Sequence, residues 1–253
     1  MTGVTKGARS VAGRGRRYHP VMATDVWALR ASAVFAVLPA RELEALAGVT
    51  REQTYAAREI VFSEGEPAQW FCVVRSGRVK IVRASREGKD VVLDVLGPGE
   101  PFGGVAVIER RPYPASAQAV EPSVVLKIPA EPIIRLAERH PSVIREMALM
   151  MGRRLRAAHD SVQSLAVDPV EARLARTLLR LAERDGARGP RGLALPFHLT
   201  RQTLADMSGT TVETTIRIVS RWLKDGLVRD DGEHLVLTDL AALGERARSS
   251  DCL

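Results

Sequence analysis

Residues 199–228 read L-T-R-Q-T-L-A-D-M-S-G-T-T-V-E-T-T-I-R-I-V-S-R-W-L-K-D-G-L-V, and no other stretch of the chain limits its conformation as tightly. Thr200 is placed to cap a short helix that carries Leu204 and Ala205. Gly209 falls where a tight turn needs a positive φ. Thr211 then opens a second helix, and the spacing predicts Ile216, Val219 and Leu223 on its inward face. Two helices joined by a short glycine turn, with the small Ala205 at their crossing, make a helix-turn-helix. Residues 227–228 and 235–237 read as strands flanking a polar turn, which adds a wing.

The second helix of such a unit enters a major groove with its N-terminal half. Val212, Glu213, Thr214 and Arg217 are therefore the candidate base readers. Glu213 can accept from a cytosine amino group, and Arg217 can donate twice to a guanine. Thr200, Arg201, Gln202 and Thr211 are placed for backbone phosphates. The expected partner is double-stranded DNA. The formal charge of +7 adds little to this: Lys6, Arg9, Arg14, Arg16 and Arg17 supply +5 within residues 1–20, which hold no acid, leaving +2 for the rest. Residues 1–23 read as a disordered basic tail.

Upstream the pattern is different. Over residues 55–130, apolar runs at 60–62, 70–74, 79–82, 91–96 and 124–128 alternate with glycine-bearing turns such as Ser76-Gly77, Glu87-Gly88-Lys89 and Gly97-Pro98-Gly99. Such spacing predicts a β-sandwich or small barrel. Before it, Thr24 and Pro39 open short helices, the second bearing Leu43 and Leu46. After it the chain turns helical. Pro132 fits a first helical turn, and His140-Pro141 restarts a helix. Ile144, Met147, Met151, Leu155, Ala158, Val162 and Leu165 recur at steps of three or four, as in a dimer seam. Asp168-Pro169 ends that helix, 170–184 form another with Leu174, Leu178 and Leu181, and 185–197 read as a loop.

The expected division is a tail (1–23), a sensory barrel (24–134), a dimerisation helix (135–167), a winged helix-turn-helix (168–243) and a flexible end (244–253). The fold class is α+β. Two cysteines, Cys72 and Cys252, suggest neither a disulfide framework nor an iron–sulfur cluster. No apolar stretch suits a membrane span or a secretory signal, so the expected location is cytoplasmic.

Taken in order, F-S-E-G-E-P-A (62–68), V-V-R-S-G-R-V-K (73–80), G-P-G-E-P-F-G (97–103), L-T-R-Q-x-L-A and T-V-E-T-x-I-R resemble the Crp/Fnr family of bacterial regulators. The resemblance covers the chain after about residue 30. It implies a cyclic-nucleotide-binding-like jelly roll, a long dimer helix and a winged helix-turn-helix, with a homodimer reading a near-palindromic site and RNA polymerase as a partner. It implies an effector pocket at Phe102, Gly103, Gly104, Tyr113 and Ser116. Members that respond to cyclic AMP hold the ribose with a glutamate where this chain has Gly104, and the cyclic phosphate with an Arg-Ser pair where it has Tyr113 and Pro114. The P-Y-P-A-S-A stretch resembles the nitric-oxide-responsive, denitrification-type branch, which implies haem as a candidate cofactor. Axial ligands would come from His19, His140 or His159, with Cys72 as a further candidate. At the recognition helix, Ile216 stands where Fnr-type members have serine, and Val212 where Crp-type members have arginine, so Val212 is a candidate for a thymine methyl contact.

Two other readings compete. One is a constitutive DNA-binding dimer with a vestigial pocket. The other is an enzyme built on the barrel, which residues 55–130, without a single histidine, make a poor His-ligated metal site. An anionic phosphate taken out of water needs a cation or several donors. Tyr113 offers one hydroxyl and Pro114 no N–H, so cyclic AMP is expected not to bind tightly. Isothermal titration checks this, and a submicromolar affinity would overturn it.

Overall fold

The computed structural model describes residues 19–20, 26–84, 90–189, 192–195, 199–232 and 234–248. The Thr24 cap, most of the basic tail and the 87–89 turn lie outside them. Strand β1 (His19–Pro20) is followed by α1 (Val26–Arg30), α2 (Ala33–Ala36) and α3 (Ala40–Val49). Pro39 occupies the N-cap of α3, and Leu43 and Leu46 are buried as expected. Strands β2 (Arg51–Tyr55), β3 (Ile60–Phe62), β4 (Trp70–Ser76), β5 (Val79–Ala84), β6 (Asp90–Leu96) and β7 (Pro101–Phe102) come next. Helix α4 (Gly104–Ile108) interrupts them before β8 (Ser116–Ala119) and β9 (Ser123–Pro129).

The strands form two antiparallel sheets, ordered β1-β2-β9-β4-β7 and β3-β8-β5-β6. Their facing sides bury Tyr55, Phe62, Cys72, Val74, Leu96, Phe102 and Val125, the filling of a jelly roll. The outer side of the first sheet is also covered. Phe71, Val73, Leu126 and Ile128 pack against Leu29, Phe35 and Leu43. Strands β4 and β9 thus meet apolar neighbours on both sides, which is why 70–74 reads as one continuous apolar run. Gly77 has φ +74 in the β4–β5 turn, and a Cβ there would lie 2.5 Å from the Pro122 carbonyl oxygen. Val79 and Ile81 of β5 pack into the jelly-roll filling, whereas Val82 is buried in a separate cluster with Val92 and Val95; the β5–β6 register shifts between Ile81 and Val82.

Helix α5 (Ala130–Arg139) leads into α6 (Pro141–Val167), a helix of 27 residues. Met147 corrects the expected seam. It is buried with Val143 against Phe71 and Ile133 of its own barrel. Ile144, Leu155, Val162 and Leu165 are exposed, and Ala148 is exposed in place of Met147. The outer stripe therefore runs 144, 148, 151, 155, 158, 162, 165, an unbroken alternation of four and three.

Helix α7 (Val170–Asp185) follows. Residues 185–197, read as a loop, contain strands β10 (Ala187–Gly189) and β11 (Gly192–Ala194) instead. They pair as a hairpin and join β13 (Leu235–Leu237) and β12 (Val228–Asp230) in one sheet. Helices α8 (Arg201–Met207) and α9 (Val212–Lys224) form the two-helix unit, and α10 (Leu240–Arg248) closes the chain. The expected flexible end from 244 is thus helical to Arg248, with Leu243 and Ala247 buried. The C-terminal core gathers Leu174, Leu178, Leu204, Val219, Trp222, Leu237 and Leu243.

Glu171 ties three helices of this core together. It accepts from the Trp222 indole at 2.9 Å, from Arg246 at 3.2 Å and from Arg221. Burial works against its charged form, but the Trp222 hydrogen bond and the two guanidinium groups outweigh it and hold the carboxyl below its ordinary value. A depressed folded-state value contributes stability above the unfolded value, and that contribution fades as pH falls through the folded one. Glu171→Gln is therefore expected to lower the urea midpoint at neutral pH, with the gap from wild type closing below about pH 4. Urea melts at both pH values check this; an unchanged gap would contradict it.

Candidate DNA-reading face and barrel cavity

The two helix starts are built as the sequence indicates. Thr200 Oγ1 accepts from the Thr203 N–H at 3.0 Å, and Thr211 Oγ1 accepts from the Thr214 N–H at 3.2 Å. Gly209 has φ +59 between the helices. A Cβ there would lie 2.4 Å from a methyl carbon of Leu165, so the end of α6 presses directly on the turn. Arg173 of α7 closes the same joint. It donates to the carbonyls of Ser208 (2.9 Å), Gly209 (3.0 Å) and Asp168 (2.9 Å). The position of α9 is thereby coupled to the end of the long helix.

Helix α9 is rotated by about one residue from its expected phase. Thr215, Ile218, Val219 and Trp222 are buried, Leu223 is half-buried, and Ile216 is 48% exposed. The bulk of Trp222, 0% exposed and bonded to Glu171, sets this phase. Glu213, Ile216, Arg217 and Ser220 consequently share the outer face, while Val212 and Thr214 are half-buried beside it. Ile216 is the surface residue that the periodicity alone assigned to the interior. The candidate phosphate contacts are engaged within the protein. Arg201 pairs with Asp230 of the wing at 3.2 Å, and Gln202 donates to Asp206 at 2.7 Å.

Four of the five candidate pocket residues, Phe102, Gly103, Gly104 and Tyr113, line one cavity of about 140 Å³ between the barrel and α6. Phe62, Phe71, Met147, Met150, Met151 and Arg154 complete much of its wall. Ser116 is not in that wall; its hydroxyl accepts from the Glu64 N–H at 2.9 Å. The Tyr113 ring stacks on Phe62 with centroids 3.7 Å apart. Its hydroxyl donates to the Trp70 carbonyl (2.7 Å) and accepts from the Trp70 N–H (3.1 Å), so it is already engaged. Burial, with the Cys72 thiol nearby, pushes the phenol well above its ordinary value. At Gly104 a Cβ would lie 2.5 Å from the Phe71 ring and 3.2 Å from the Met147 methyl, so this backbone has no room for a glutamate there.

The candidate axial ligands lie elsewhere. His19 belongs to β1, paired with Glu52 in register. His140 stands at the N-cap of α6, but its side chain makes no cap bond and its Nε2 lies 3.5 Å from Glu42. His159 is exposed on α6. Cys72 is 0% exposed inside the barrel, and burial pushes its thiol up to about 12 despite the opposing Lys127 charge, which disfavours the thiolate a metal would need. No group of three or more potential metal ligands occurs among the described residues.

One cluster went unread in the sequence. Arg154 of α6, at the cavity wall, donates to the Pro101 carbonyl at 2.9 Å and faces Asp94 of β6 at 3.4 Å. Asp94 also faces Arg184 of α7 at 3.7 Å, and Arg184 reaches Glu100 at 3.8 Å and the Val95 carbonyl. Met207 of α8 packs against Val82, Val92 and Val95 beside them. Arg154 follows Met147 by seven residues on the barrel-facing side of α6, a signal that appears once that side is known.

Residues 52–140 match the profile of the cyclic nucleotide-binding domain, and residues 172–246 match that of the Crp-like helix-turn-helix domain. The chain is 29% identical over 219 residues to the cyclic AMP receptor protein of Thermus thermophilus, covering 87% of this chain and 98% of that protein. It is 26% identical over 210 residues to the CRP-like cAMP-activated global transcriptional regulator of Mycobacterium tuberculosis, covering 82% and 94%. Among solved structures, FixK2 of Bradyrhizobium japonicum superposes with a TM-score of 0.70 at 25% identity, covering 78% of this chain and 96% of that one. These domains and relatives are those of transcription regulators, not enzymes. The α+β architecture of jelly roll, long helix and helix-turn-helix is the one those relatives share, and the chain belongs to the Crp/Fnr family of DNA-binding transcription regulators.

Proposed function

We propose that the protein works as a cytoplasmic homodimer, gated by an effector other than cyclic AMP, that reads a near-palindromic DNA site through α9. The outer face of that helix carries the reading: Glu213, Ile216 and Arg217 project together from its first two turns. Residues 24–134 serve as the sensory unit and 135–167 as the dimer element. The DNA-binding unit begins at 168 and takes in α10. RNA polymerase is the further partner.

The exposed 4-3 stripe of α6 supports the dimer. Leu155 (57% exposed) and Val162 (66%) leave apolar surface in water that a second copy would cover. Two paired α6 helices would set the recognition helices about 34 Å apart, one duplex turn. The effector reading is supported by the cavity. Two relatives are named for cyclic AMP. Here the cavity measures about 140 Å³, Gly104 lies against Phe71, and the Tyr113 hydroxyl is engaged. No histidine is among the described residues that line it, which supports a small molecule rather than haem in that space.

Two measurements test this. The double variant Leu155→Glu, Val162→Glu is expected to sediment as a monomer and to lose affinity for a two-half-site DNA by roughly 100-fold, since a second contact no longer follows the first at high local concentration. A variant that stays dimeric would contradict the seam. In a selection of bound DNA sequences, Ile216→Ser is expected to relax a thymine preference at one position per half-site, at a cost of about 1 kcal/mol or more, and Arg217→Ala a guanine preference. Unchanged selected sites would remove α9 as the reader.

A further inference from the structure

We propose that the barrel cavity takes a monocyclic aromatic carboxylate, with the ring among Phe62, Phe102, Tyr113 and Met147 and the carboxylate on Arg154. The inference rests on the reading of this cavity as the effector site. Three properties of the cavity lead to it.

Size comes first. At about 140 Å³ the space matches a single ring, since an engineered apolar cavity of roughly 150 Å³ holds benzene. A nucleotide, with base, sugar and phosphate, is much larger. The wall comes second. Its aromatic side chains are Phe62, Phe71, Phe102 and Tyr113, with Phe62 and Tyr113 stacked as one slab and Phe102 tilted 5.8 Å from Phe62. Offset and edge-on ring contacts are available to a planar guest on such a surface. Met147, Met150 and Met151 supply the α6 side, where thioether chains adapt to the shape of a guest.

Charge comes third. Among the described residues, Arg154 is the one charged residue lining the cavity. Its guanidinium carries five donors in a planar fork, and the Pro101 carbonyl and Asp94 are the partners already facing it. An anion entering an apolar space needs a partner of this kind, and a carboxylate suits the fork in a bidentate pair. The hydroxyl of Tyr113 is committed to Trp70, so the anionic end of a guest turns to Arg154.

The arrangement also gives occupancy a route to the DNA-binding unit. A ligand carboxylate competes with Asp94 for Arg154. Asp94 is then left to Arg184, and both flank the strand on which Met207 of α8 rests. A ligand shifts the conformational balance only through such a difference in contacts between states.

Isothermal titration of the full-length protein with benzoate and phenylacetate tests the proposal, with toluene as a neutral ring and cyclic AMP as a nucleotide. Benzoate or phenylacetate is expected to bind more tightly than toluene and cyclic AMP. Arg154→Met is expected to weaken the acids by roughly 10-fold or more and leave toluene unchanged, the loss of one charge-assisted pair. Asp94→Asn removes the competitor and is expected to tighten the acids. Val105→Trp, at a wall residue 42% exposed, is expected to block both acids and toluene without disturbing the core. Ligand-free melting temperatures verify that each variant folds. No heat from either acid, equal affinity for toluene, or acid binding unmoved by Arg154→Met would overturn the proposal. Arg154-dependent binding without any change in affinity for the selected DNA site would support the ligand class and would overturn effector gating instead.

Discussion

Helix α6 has to satisfy two surfaces along one rod. Over 27 residues it spans ~40 Å at 1.5 Å per residue. Val143 and Met147 close the underside of the barrel, and Arg154 lines the cavity about two turns beyond Met147. On the opposite stripe Ile144, Ala148, Leu155, Ala158 and Val162 are exposed. A helix bound on one side to the barrel cavity and exposing apolar side chains on the other can pass a small displacement along its length. The rest of the architecture is arranged around its two ends.

At its far end the contact with the DNA-binding unit is steric as well as polar. Leu165 abuts Gly209, where any side chain would collide. Arg173 binds the Ser208 and Gly209 carbonyls and that of Asp168 at the α6 terminus. Arg176 adds a pair with Asp168, a bond to Ser164 at 2.9 Å and one to the Ala247 carbonyl at 2.6 Å. These bonds satisfy carbonyls that helix ends leave open. Nearer the barrel, the corner of Asp94, Glu100, Arg154 and Arg184 is partly buried. Glu100 is raised above its ordinary value by burial, against the opposing pull of Arg184 and the Gly97 N–H. Partial burial leaves such ion pairs less screened than those on an open surface.

Much of this was legible in the residues. Thr200 and Thr211 cap helices because a hydroxyl there satisfies a backbone N–H within three residues. Gly209 marks its turn because it tolerates positive φ. The apolar runs at 60–62 and 91–96 became strands, each followed by a turn with a glycine at positive φ, Gly65 and Gly99. Where the reading failed, distant partners decided. Strand β8, S-A-Q-A, has no apolar bulk, yet it pairs with both β3 and β5 and leaves Ala117 and Ala119 buried. The hairpin of β10 and β11 exists because β13 offers it a pairing edge.

By itself the sequence determined the order of parts, the caps and the turn, because each depends on bonds or dihedrals within a few residues. Tertiary structure alone decided phase and enclosure. Ile216 faces outward because Trp222 claims the interior and bonds Glu171. Met147 turns inward, and Ala148 takes its place in the outer stripe, because the barrel offers Phe71 and Ile133 as neighbours. Arg154 becomes part of a cavity wall because Phe102, Tyr113 and α6 converge there from separate parts of the chain. A helical period leaves the choice between adjacent residues open, and packing against remote elements settles it.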